Sequence, residues 1–311
     1  MKTRLRKALQ YWWYDRACRA IDETAPISVD DSELVVLSML NTNHVTMYLV
    51  AAKTLHRQLG RGRFLVVDDG TLTDAQKARI RHHLPLVDIV PIRSIDRAGL
   101  PKGGTWERLA LIAELTEHSY VVQMDADTLA LRDIPEVARQ IQTNASFTIN
   151  GDPDSAIEPV AVSSLRMAND PSTHVQTLAE RALTQIGLDA GARYVRGCSG
   201  FAGFARGSDV GPRVRDFSAR MEQALGAKWT EWGSEQVGSN FVVANAPGAI
   251  VLSAPRYLNY PGGQVPPDTS FLHFIGPSRF SNGTYRRSAG LAIEALLRSE
   301  ADGTSLRRVA A

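Results

Sequence analysis

Two aspartates separated by one residue, Asp125 and Asp127, come directly after the run YVVQM at residues 120–124. The apolar run predicts that both carboxylates stand where a buried strand ends. Two like charges so close together favour a cation beside them, because otherwise one of them tends to take up a proton. Carboxylate oxygens are the hard ligands that Mg²⁺ and Mn²⁺ prefer. The spacing therefore indicates a divalent metal site, although two aspartates that only cap the following turn would show the same pattern.

Three kinds of functional site share this spacing. An EF-hand loop would continue with acidic or amide residues at alternating positions and with a glycine, but its fifth position is Leu129 and no glycine follows. A haloacid-dehalogenase-type phosphatase has the pattern Asp-x-Asp-x-Thr, whereas Thr128 comes one place too early. The third is the Asp-x-Asp motif of nucleotide-sugar glycosyltransferases, whose carboxylates hold a divalent ion against the donor diphosphate.

The elements that must position these carboxylates can be predicted from the hydrophobic pattern. We interpret as strands the segments ELVVLSML, RFLVVDDG, VDIVPI and YVVQMDAD, and as intervening helices TMYLVAAKTLHRQL, TDAQKARIRHHL and WERLALIAELTEH. The second helix opens with Thr73 and Gln76 in the spacing of a capping box. This alternation predicts an α/β fold in which helices flank a parallel or mixed sheet.

Polar residues follow three of the predicted strands, at residues 41–43, 68–69 and 125–127. Ligands of such sheets bind outside the carboxyl ends of the strands. We therefore expect these three groups to lie on one rim of the sheet, together with the predicted metal site.

Composition and charge exclude several classes of protein. The chain has 311 residues, of which 44% are hydrophobic, so it can bury a substantial core. A formal net charge of +2 gives no field that would argue for a nucleic-acid partner. Two cysteines are too few for a disulfide framework and fit a reducing compartment. No apolar run approaches the roughly 18 residues of a membrane span and no signal peptide is evident, so we expect a cytoplasmic protein.

We divide the chain into an N-terminal helix at residues 1–32, one α/β domain at residues 33–285, and a C-terminal helix and tail at residues 286–311. Within the domain, about residues 151–196 are less regular and are interpreted as an insertion. The N-terminal segment MKTRLRKALQYWWYDRACRAI is basic and aromatic with helical periodicity. It could cap the domain by packing residues 11–14 onto it, or lie on the inner face of an anionic membrane as a peripheral contact.

Several blocks in this order resemble glycosyltransferase family 8, the glycogenin-like retaining enzymes of the GT-A fold, which is a Rossmann-like nucleotide-diphospho-sugar transferase fold. MDADTLALRDIPE is similar to the family's metal-motif block, and FLHFIGPSRF to its C-terminal His-Phe-x-Gly-x-x-Lys block. CSGFAGFARG resembles the family's Asn-x-Gly strand, and GSEQVGSN its Asp-Gln-rich segment. The resemblance covers roughly residues 33–285.

The resemblance implies roles for the residues that match on the donor side. Asp125, Asp127 and His273 would be the ligands of Mn²⁺ or Mg²⁺, with a neutral imidazole as the third. Arg279 would contact the donor phosphates, and Gly276 would let the backbone approach them.

Further matches would complete the donor and acceptor sides. Asn41, Thr42 and Asn43 would hold the base and ribose of the donor. Arg108 looks like the basic residue that precedes the metal motif, although a solvated helix arginine would fit the sequence equally well. Glu235 and Gln236 stand where the family places acceptor-side groups near the reacting carbon, and the inserted segment would belong to the acceptor side.

The chain departs from the family pattern at three points. Arg279 replaces a lysine, and Phe280 and Ser281 stand where Pro-Trp is usual. The stretch between Asp127 and Gly200 is longer than in compact members. The longer stretch concerns the acceptor rather than the donor chemistry.

The implied activity is metal-dependent, retaining transfer of a hexose from a UDP-sugar to a hydroxyl of a carbohydrate, a lipid-linked molecule or a protein. The residues alone leave the stereochemistry open, because Glu235 could serve as the base of an inverting enzyme. One alternative is a sugar-1-phosphate nucleotidyltransferase, but SMLNTNHV lacks the Gly-rich, Lys-containing loop expected there. Another is a sugar-nucleotide-binding module without catalysis, against which the intact metal motif argues.

Five other residues are interpreted from the sequence. Trp229 and Trp232 could stack on an acceptor sugar or pack in the core. Cys198 is interpreted as small-residue packing beside Gly197. His82 and His83 are interpreted as an exposed helix end.

Overall fold

The computed structural model describes residues 2–28 and 33–301. The predicted boundary near residue 32 and the predicted tail beyond residue 301 lie outside the described residues. Twelve strands occur in the described ranges: β1 (Leu34–Leu40), β2 (Arg63–Asp68), β3 (Asp88–Pro91), β4 (Tyr120–Met124), β5 (Thr128–Ala130), β6 (Phe147–Asn150), β7 (Glu158–Pro159), β8 (Arg193–Tyr194), β9 (Gly197–Phe204), β10 (Ile250–Leu252), β11 (Tyr257–Asn259) and β12 (Phe271–His273).

Ten α-helices accompany these strands in the same ranges. They are α1 (Lys2–Ala17), α2 (Val45–Leu59), α3 (Asp74–His83), α4 (Trp106–Leu115), α5 (Pro135–Gln142), α6 (Val160–Met167), α7 (Val175–Ala182), α8 (Val210–Leu225), α9 (Ser234–Ala244) and α10 (Thr284–Ala301). The strands and helices predicted for the N-terminal half are confirmed. So is the capping box of α3, in which the Thr73 hydroxyl accepts from the Gln76 N–H and the Gln76 side chain accepts from the Thr73 N–H.

A seven-stranded mixed sheet has the order β10-β6-β9-β4-β1-β2-β3. β1 runs parallel to β2 and β4, and β2 runs parallel to β3. β9 is antiparallel to both β4 and β6. Because β1, β2 and β4 point the same way, their carboxyl ends meet on one rim, which brings the polar residues that follow them together.

Helices cover both faces of this sheet, as predicted. Side chains alternate along β1, so Val36 packs into the core that contains α2, and Val35 packs into the core that contains α4, α8 and α9. Both valines are essentially inaccessible to solvent. Burial on both faces explains why the central strands are almost continuously apolar.

A smaller three-stranded sheet, β11-β12-β5, positions His273, the third residue of the predicted metal site. β12 pairs antiparallel with β5, so that His273 lies opposite Thr128, directly after Asp127. β11 pairs parallel with β12, so that Asn259 lies opposite His273. The register of two short strands therefore decides that a histidine far along the chain meets the aspartate pair.

Residues 151–196 contain β7, α6, α7 and β8. β7 and β8 pair antiparallel as a two-stranded ribbon, and α7 packs against α6 and α9. Two of these elements are α-helices, within a segment whose sequence is less regular than that of the rest of the domain. The segment lies beside α9, on the face of the sheet opposite to α2. It therefore reaches the rim where the carboxyl ends of β1, β2 and β4 meet.

The aromatic side chains of α1 divide between the core and the surface. Tyr11 and Tyr14 are buried, and the Tyr14 ring lies 4.6 Å from that of Tyr285. Trp12 and Trp13 are about half exposed. The tyrosines therefore cap the domain, as one of the two interpretations predicted. Among the described residues, none of the helices combines the length and the apolar character that crossing a membrane would require.

The prediction of an exposed helix end at His82 and His83 is wrong for His83. Its side chain is buried, and its Nε2 lies 3.3 Å from Asp22 Oδ1. Burial is the main reason why the pKa of His83 falls to about 4, with the nearby charge of Lys53 acting in the same direction. The contact with Asp22 comes from a 3-10 turn some 60 positions earlier, which no local pattern predicts.

Candidate active site

The two aspartates lie in the short connection between β4 and β5. The Asp125 N–H donates to the Gly200 carbonyl at 2.8 Å, and the Asp127 carbonyl accepts from the Phe274 N–H at 2.9 Å. The Thr128 hydroxyl donates back to the Asp125 carbonyl at 3.0 Å. The connection is therefore tied to β9 on one side and to the residue after β12 on the other, which fixes where its carboxylates point.

Asp125, Asp127 and His273 form a cluster that fits a divalent cation. Each offers one ligand atom, and these atoms all lie within 4.8 Å of one another. His273 Nε2 is 3.7 Å from Asp125 Oδ2 and 3.5 Å from Asp127 Oδ1. Two carboxylate oxygens and an imidazole nitrogen are a donor set that suits Mn²⁺ and also Mg²⁺ or Zn²⁺.

The His273 ring is oriented by a hydrogen bond on the side away from the aspartates. Its Nδ1 lies 2.8 Å from Asn259 Oδ1, and the Asn259 amide nitrogen donates to the Asn150 carbonyl, which fixes the rotation of the amide. Asn259 Oδ1 therefore accepts a hydrogen bond from the Nδ1–H, and Nε2 faces the aspartates. A Cβ on Gly200 would overlap the His273 ring, so this position must be glycine.

The protonation of His273 reflects the charges around it. Burial by itself would lower the pKa of His273, but the neighbouring Cys198, Asp127 and Asp125 outweigh burial and raise it well above the ordinary value. Cys198 Sγ lies 3.5 Å from Nδ1, on the side away from the aspartates. A cation that binds at Nε2 must therefore displace a proton.

Two arginines neutralise the aspartate pair. Arg108 Nη1 lies 2.5 Å from Asp125 Oδ1, and the Arg279 guanidinium is paired with Asp127. Burial opposes the ionisation of Asp125, yet Arg108 and His273 outweigh it and hold its pKa below the ordinary range. Since the protein itself supplies cations, the pair does not need a metal ion in order to stay charged. What supports a metal site is the close approach of the three potential ligand atoms instead.

Arg108 is a buried ion-pairing residue, which excludes the interpretation as a solvated helix arginine. It is 4% exposed, and its Nη2 lies 3.4 Å from Glu235 Oε1. Glu235 is itself 2% exposed and accepts from the Thr105 hydroxyl at 2.9 Å. Burial outweighs the attraction of Arg108, so the pKa of Glu235 is raised. One guanidinium thus joins α4 to the aspartates and to the start of α9.

Gln236 is held in place at both ends of its amide. Its Oε1 accepts from the Ser199 N–H at 3.2 Å, and its Nε2 donates to Gln176 Oε1 at 3.2 Å. Ser199 belongs to β9 and Gln176 to α7. The amide therefore connects the central sheet with the inserted segment.

Arg279 receives support from α1. Its Nη1 lies 3.0 Å from the Tyr11 hydroxyl, and its Nε donates to the Phe274 carbonyl at 3.3 Å. Tyr11 packs edge-on against Phe280 at 5.2 Å between ring centroids. A residue of the N-terminal helix thus orients a guanidinium at the site, a contact across 268 positions that the sequence did not indicate.

Gly276 begins a 3-10 turn, Gly276–Ser278, next to Arg279. A Cβ at this position would meet no protein atom within 4 Å. Packing therefore does not require glycine here, and the open space lies on the side of the cavity described next.

A cavity of about 570 Å³, the central cavity, collects most of the predicted site residues. Those that line it are Asn41, Arg108, Asp125, Asp127, Glu235, Gln236, His273, Gly276 and Arg279. Polar lining residues to which the sequence analysis gave no role are His44, Thr105, Asp152, His174, Gln176, Arg196, Ser199 and Asn259. Asp69 also lines the cavity, and it belongs to the polar group at residues 68–69 that was expected on this rim.

Thr42 and Asn43 are exposed and lie outside the lining that the described residues form. The Thr42 N–H donates to the Thr71 hydroxyl at 2.9 Å, and the Thr42 carbonyl accepts from Gln76 at 2.8 Å. The Asn43 N–H donates to Asn41 Oδ1 at 2.9 Å. These bonds shape the loop after β1, in which Asn41 is the residue that reaches the cavity.

Removal of Arg108 should destabilise the folded chain. In Arg108→Met, Asp125 and Glu235 would share a site without the guanidinium between them, and breaking a buried ion pair in this way costs about 3–5 kcal/mol. Both carboxylates would then hold protons more tightly in the folded than in the unfolded chain, so the loss should shrink as the pH is lowered from about 8 to about 5. Urea unfolding at several pH values measures this.

The double variant Arg108→Met, Glu235→Gln is the matched control, because it removes the buried charge together with its partner. We expect it to lose less stability than Arg108→Met alone. Equal losses in the single and double variants, or a loss that does not change with pH, would contradict the buried charge network.

No protein-family model matches the chain, and no curated protein sequence matches it. Solved structures do match. The galactosyltransferase LgtC in complex with donor and acceptor sugar analogs has 16% sequence identity, covers 83% of this chain and 95% of that chain, and gives a TM-score of 0.51. An active-site mutant of LgtC has 15% identity, covers 85% and 95%, and gives 0.50.

The WbbM bifunctional glycosyltransferase, in its apo structure, has 13% identity and a TM-score of 0.53. The match covers 86% of this chain and 53% of that chain. At these identities the likeness concerns the fold. The chain has the GT-A glycosyltransferase fold, which confirms the predicted fold class.

Proposed function

We propose that this protein is a metal-dependent, retaining glycosyltransferase that moves a hexose from a UDP-sugar to an acceptor hydroxyl. The observation that carries the proposal is the convergence, in one cavity of a GT-A fold, of the Asp125–Asp127–His273 cluster with Arg279 and with the Glu235–Gln236 pair. The assignment of uridine and of a hexose is supported by the family resemblance of the sequence.

The donor would lie along the rim formed by β1, β4 and β12. Asp125, Asp127 and His273 would hold Mn²⁺ or Mg²⁺, which when bound supplies positive charge against the departing diphosphate. Arg279 would donate to the phosphate oxygens, and the open space at Gly276 leaves room for them beside the backbone. Asn41 would contact the base or ribose, with Thr42 and Asn43 holding the loop and reaching the donor from its outer side.

The positions of Glu235 and Gln236 favour retention. A base in an inverting reaction must reach the acceptor hydroxyl, yet the Glu235 carboxylate is buried and engaged by Arg108 and Thr105. In a front-face reaction the departing diphosphate takes the proton of the attacking hydroxyl. Glu235 and Gln236 would then stabilise the positive charge that develops on the sugar ring.

Two other functions compete with this one for the same cavity. A nucleotidyltransferase would be expected to place a lysine-containing glycine-rich loop after β1, where the chain instead has Asn41, Thr42 and Asn43. A non-catalytic sugar-nucleotide-binding module would bind the donor and leave it intact. Incubation with Mn²⁺ and a panel of nucleotide sugars separates the three, because only the transferase releases nucleoside diphosphate.

The metal ligands can be tested without changing the size of a side chain. Asp125→Asn and Asp127→Asn should each abolish Mn²⁺-dependent release of nucleoside diphosphate, because each removes a negatively charged ligand. The fold should survive, since Arg108 keeps Glu235 as a partner and Arg279 keeps Tyr11. Asp154→Asn, at an exposed aspartate of the inserted segment, is the control and should have wild-type activity. Near-native activity of either cluster variant would refute the metal site.

Arg279→Ala should weaken the binding of UDP in the presence of Mn²⁺ by roughly ten- to a hundredfold, because a charge-assisted hydrogen bond contributes about 1.5–3 kcal/mol. Calorimetric titration measures the affinity. Arg298→Ala, which removes an exposed arginine of α10, should leave the affinity unchanged. Equal UDP affinity of the wild type and Arg279→Ala would assign Arg279 a structural role only.

The stereochemical outcome is the direct test of retention. From an α-linked donor, the first-formed glycoside should be α-linked in the wild type and in Glu235→Gln, with slower transfer by the variant. Proton NMR of the product before any equilibration reads the anomeric coupling. A β-linked first product would overturn the retaining mechanism.

We also propose that the protein is cytoplasmic and that α1 brings it to the inner face of a membrane. Leu9, Trp12 and Trp13 are each about half exposed, and the Arg16 guanidinium lies 5.9 Å from the Trp12 ring centroid. Exposed tryptophans beside cationic side chains suit an anionic bilayer surface. This contact would place the active site near any membrane-bound acceptor. The proposed transfer would not depend on such an acceptor.

Co-sedimentation with vesicles tests the membrane contact. The wild type should bind vesicles that contain phosphatidylserine and not pure phosphatidylcholine vesicles. A Trp12→Ser, Trp13→Ser variant should lose this binding while keeping its UDP affinity, because Tyr11 and Tyr14 still attach α1 to the domain. Equal binding of the variant and the wild type, or no binding by either, would refute the contact.

A further inference from the structure

The wall of the central cavity on the far side from Asn41 and His44 comes from the inserted segment and from the residues just before α9. Trp232 is 74% exposed there and is part of the cavity lining. Trp229, three residues earlier, is fully buried and donates from its indole N–H to the Ser218 hydroxyl at 2.8 Å. Trp229 therefore packs in the core. Packing does not explain Trp232, which leaves a large apolar surface in solvent.

The Trp232 side chain is held beside the cavity by its neighbours. Its ring lies 6.1 Å from that of His174, at 77° to it. Gly233 has φ +103°, and a Cβ there would approach His174 Cε1 to 2.8 Å, so the chain can turn beside His174 only at a glycine. His174 Nδ1 accepts from the Gln176 N–H at 3.3 Å, which ties this contact to the start of α7.

Fixed polar groups lie next to this aromatic surface. Arg196 forms ion pairs with Asp152, at 2.7 Å from Nε, and with the buried Glu180. Glu180 also accepts from Gln176 at 3.2 Å, and Gln176 in turn accepts from Gln236 at 3.2 Å. Asp152 is exposed and Arg196 partly so, and both line the central cavity.

These hydrogen bonds form a chain from the outer wall to Gln236, which is proposed to act beside the reacting carbon. Each donor and acceptor in the chain has a partner that restricts its direction. A ligand on this wall would therefore meet side chains that are already oriented, at a small cost in conformational entropy.

We infer that this wall is the acceptor subsite and that it takes a carbohydrate, with the apolar face of a pyranose ring stacked on Trp232 and its hydroxyls bonded to Asp152 and Arg196. The inference rests on the proposed transferase function and names its acceptor class. A sugar ring presents C–H groups on one face and hydroxyls around its edge, which matches an exposed indole flanked by charged, oriented side chains.

The same surface suits other acceptors less well. An acyl chain would have to lie against the Asp152–Arg196 ion pair, and burying charged groups under an apolar chain is unfavourable. A serine or threonine residue of a protein offers no ring whose apolar face could stack on Trp232. A lipid-linked acceptor would be compatible only through its sugar part.

Binding to an array of defined soluble oligosaccharides, in the presence of Mn²⁺ and UDP, tests the inference. The wild type should bind at least one glycan, and Trp232→Ala should weaken its binding by up to about tenfold, the upper end for an aromatic contact. Trp232→Phe should keep most of the affinity. UDP affinity should stay within about twofold in both variants, because the donor contacts lie elsewhere in the cavity. Leu291→Ala, at an exposed apolar residue of α10, should change neither affinity.

The possible failures can be told apart. If the wild type binds UDP with Mn²⁺ but no glycan, or binds a glycan equally well as Trp232→Ala, the carbohydrate subsite is refuted and the donor site stands. If the wild type binds neither UDP nor a glycan, the proposed function fails and the inference fails with it.

Discussion

The neutralisation of buried charge is the constraint on which the rest of this site depends. Asp125, Asp127 and Glu235 face Arg108, Arg279 and His273 within one cavity. A buried charge without a partner would cost several kcal/mol, so each acid must find a base at the right distance. These partners come from α4, the β4–β5 connection, α9, β12 and the turn after it. The folded arrangement of those five elements is therefore also the arrangement in which the charges balance.

The same charges divide the cavity into two halves. Arg279, with Tyr11 behind it, belongs to the half in which we place the donor. Arg108 stands between the halves, because it holds Asp125 with one nitrogen and Glu235 with the other. Gln236 continues the connection through Gln176 into the inserted segment. Direct polar contacts therefore connect groups in the two halves of the cavity.

Much of the fold could be predicted from the sequence because its signals are local. Alternating apolar runs and amphipathic segments identified β1 to β4 and α2 to α4, and the Thr73–Gln76 pair marked the start of α3. The rule that ligands bind at the carboxyl ends of strands put Asn41 and the aspartates on one rim, where the structure also has them. His273 was recognised only through a resemblance between blocks of sequence, since a single histidine in an apolar strand carries no signal of its own.

The remaining features depend on contacts between distant residues, which periodicity does not encode. Arg108 meets Glu235 across 127 positions and Asn259 meets Asn150 across 109, while His83 is buried against Asp22. In the sequence the aspartates stand as an isolated pair that needs a metal ion, whereas the fold supplies two guanidinium groups to them.

The central claim is that Asp125, Asp127 and His273 hold one divalent ion in front of a donor diphosphate. Anomalous diffraction at the manganese edge, from crystals grown with Mn²⁺ and UDP, tests it most directly. We expect one anomalous peak per chain, bounded by oxygens of Asp125 and Asp127, by Nε2 of His273 and by the diphosphate of UDP. A bound UDP without a peak at this position, or a peak that His273 and the aspartates do not touch, would contradict it.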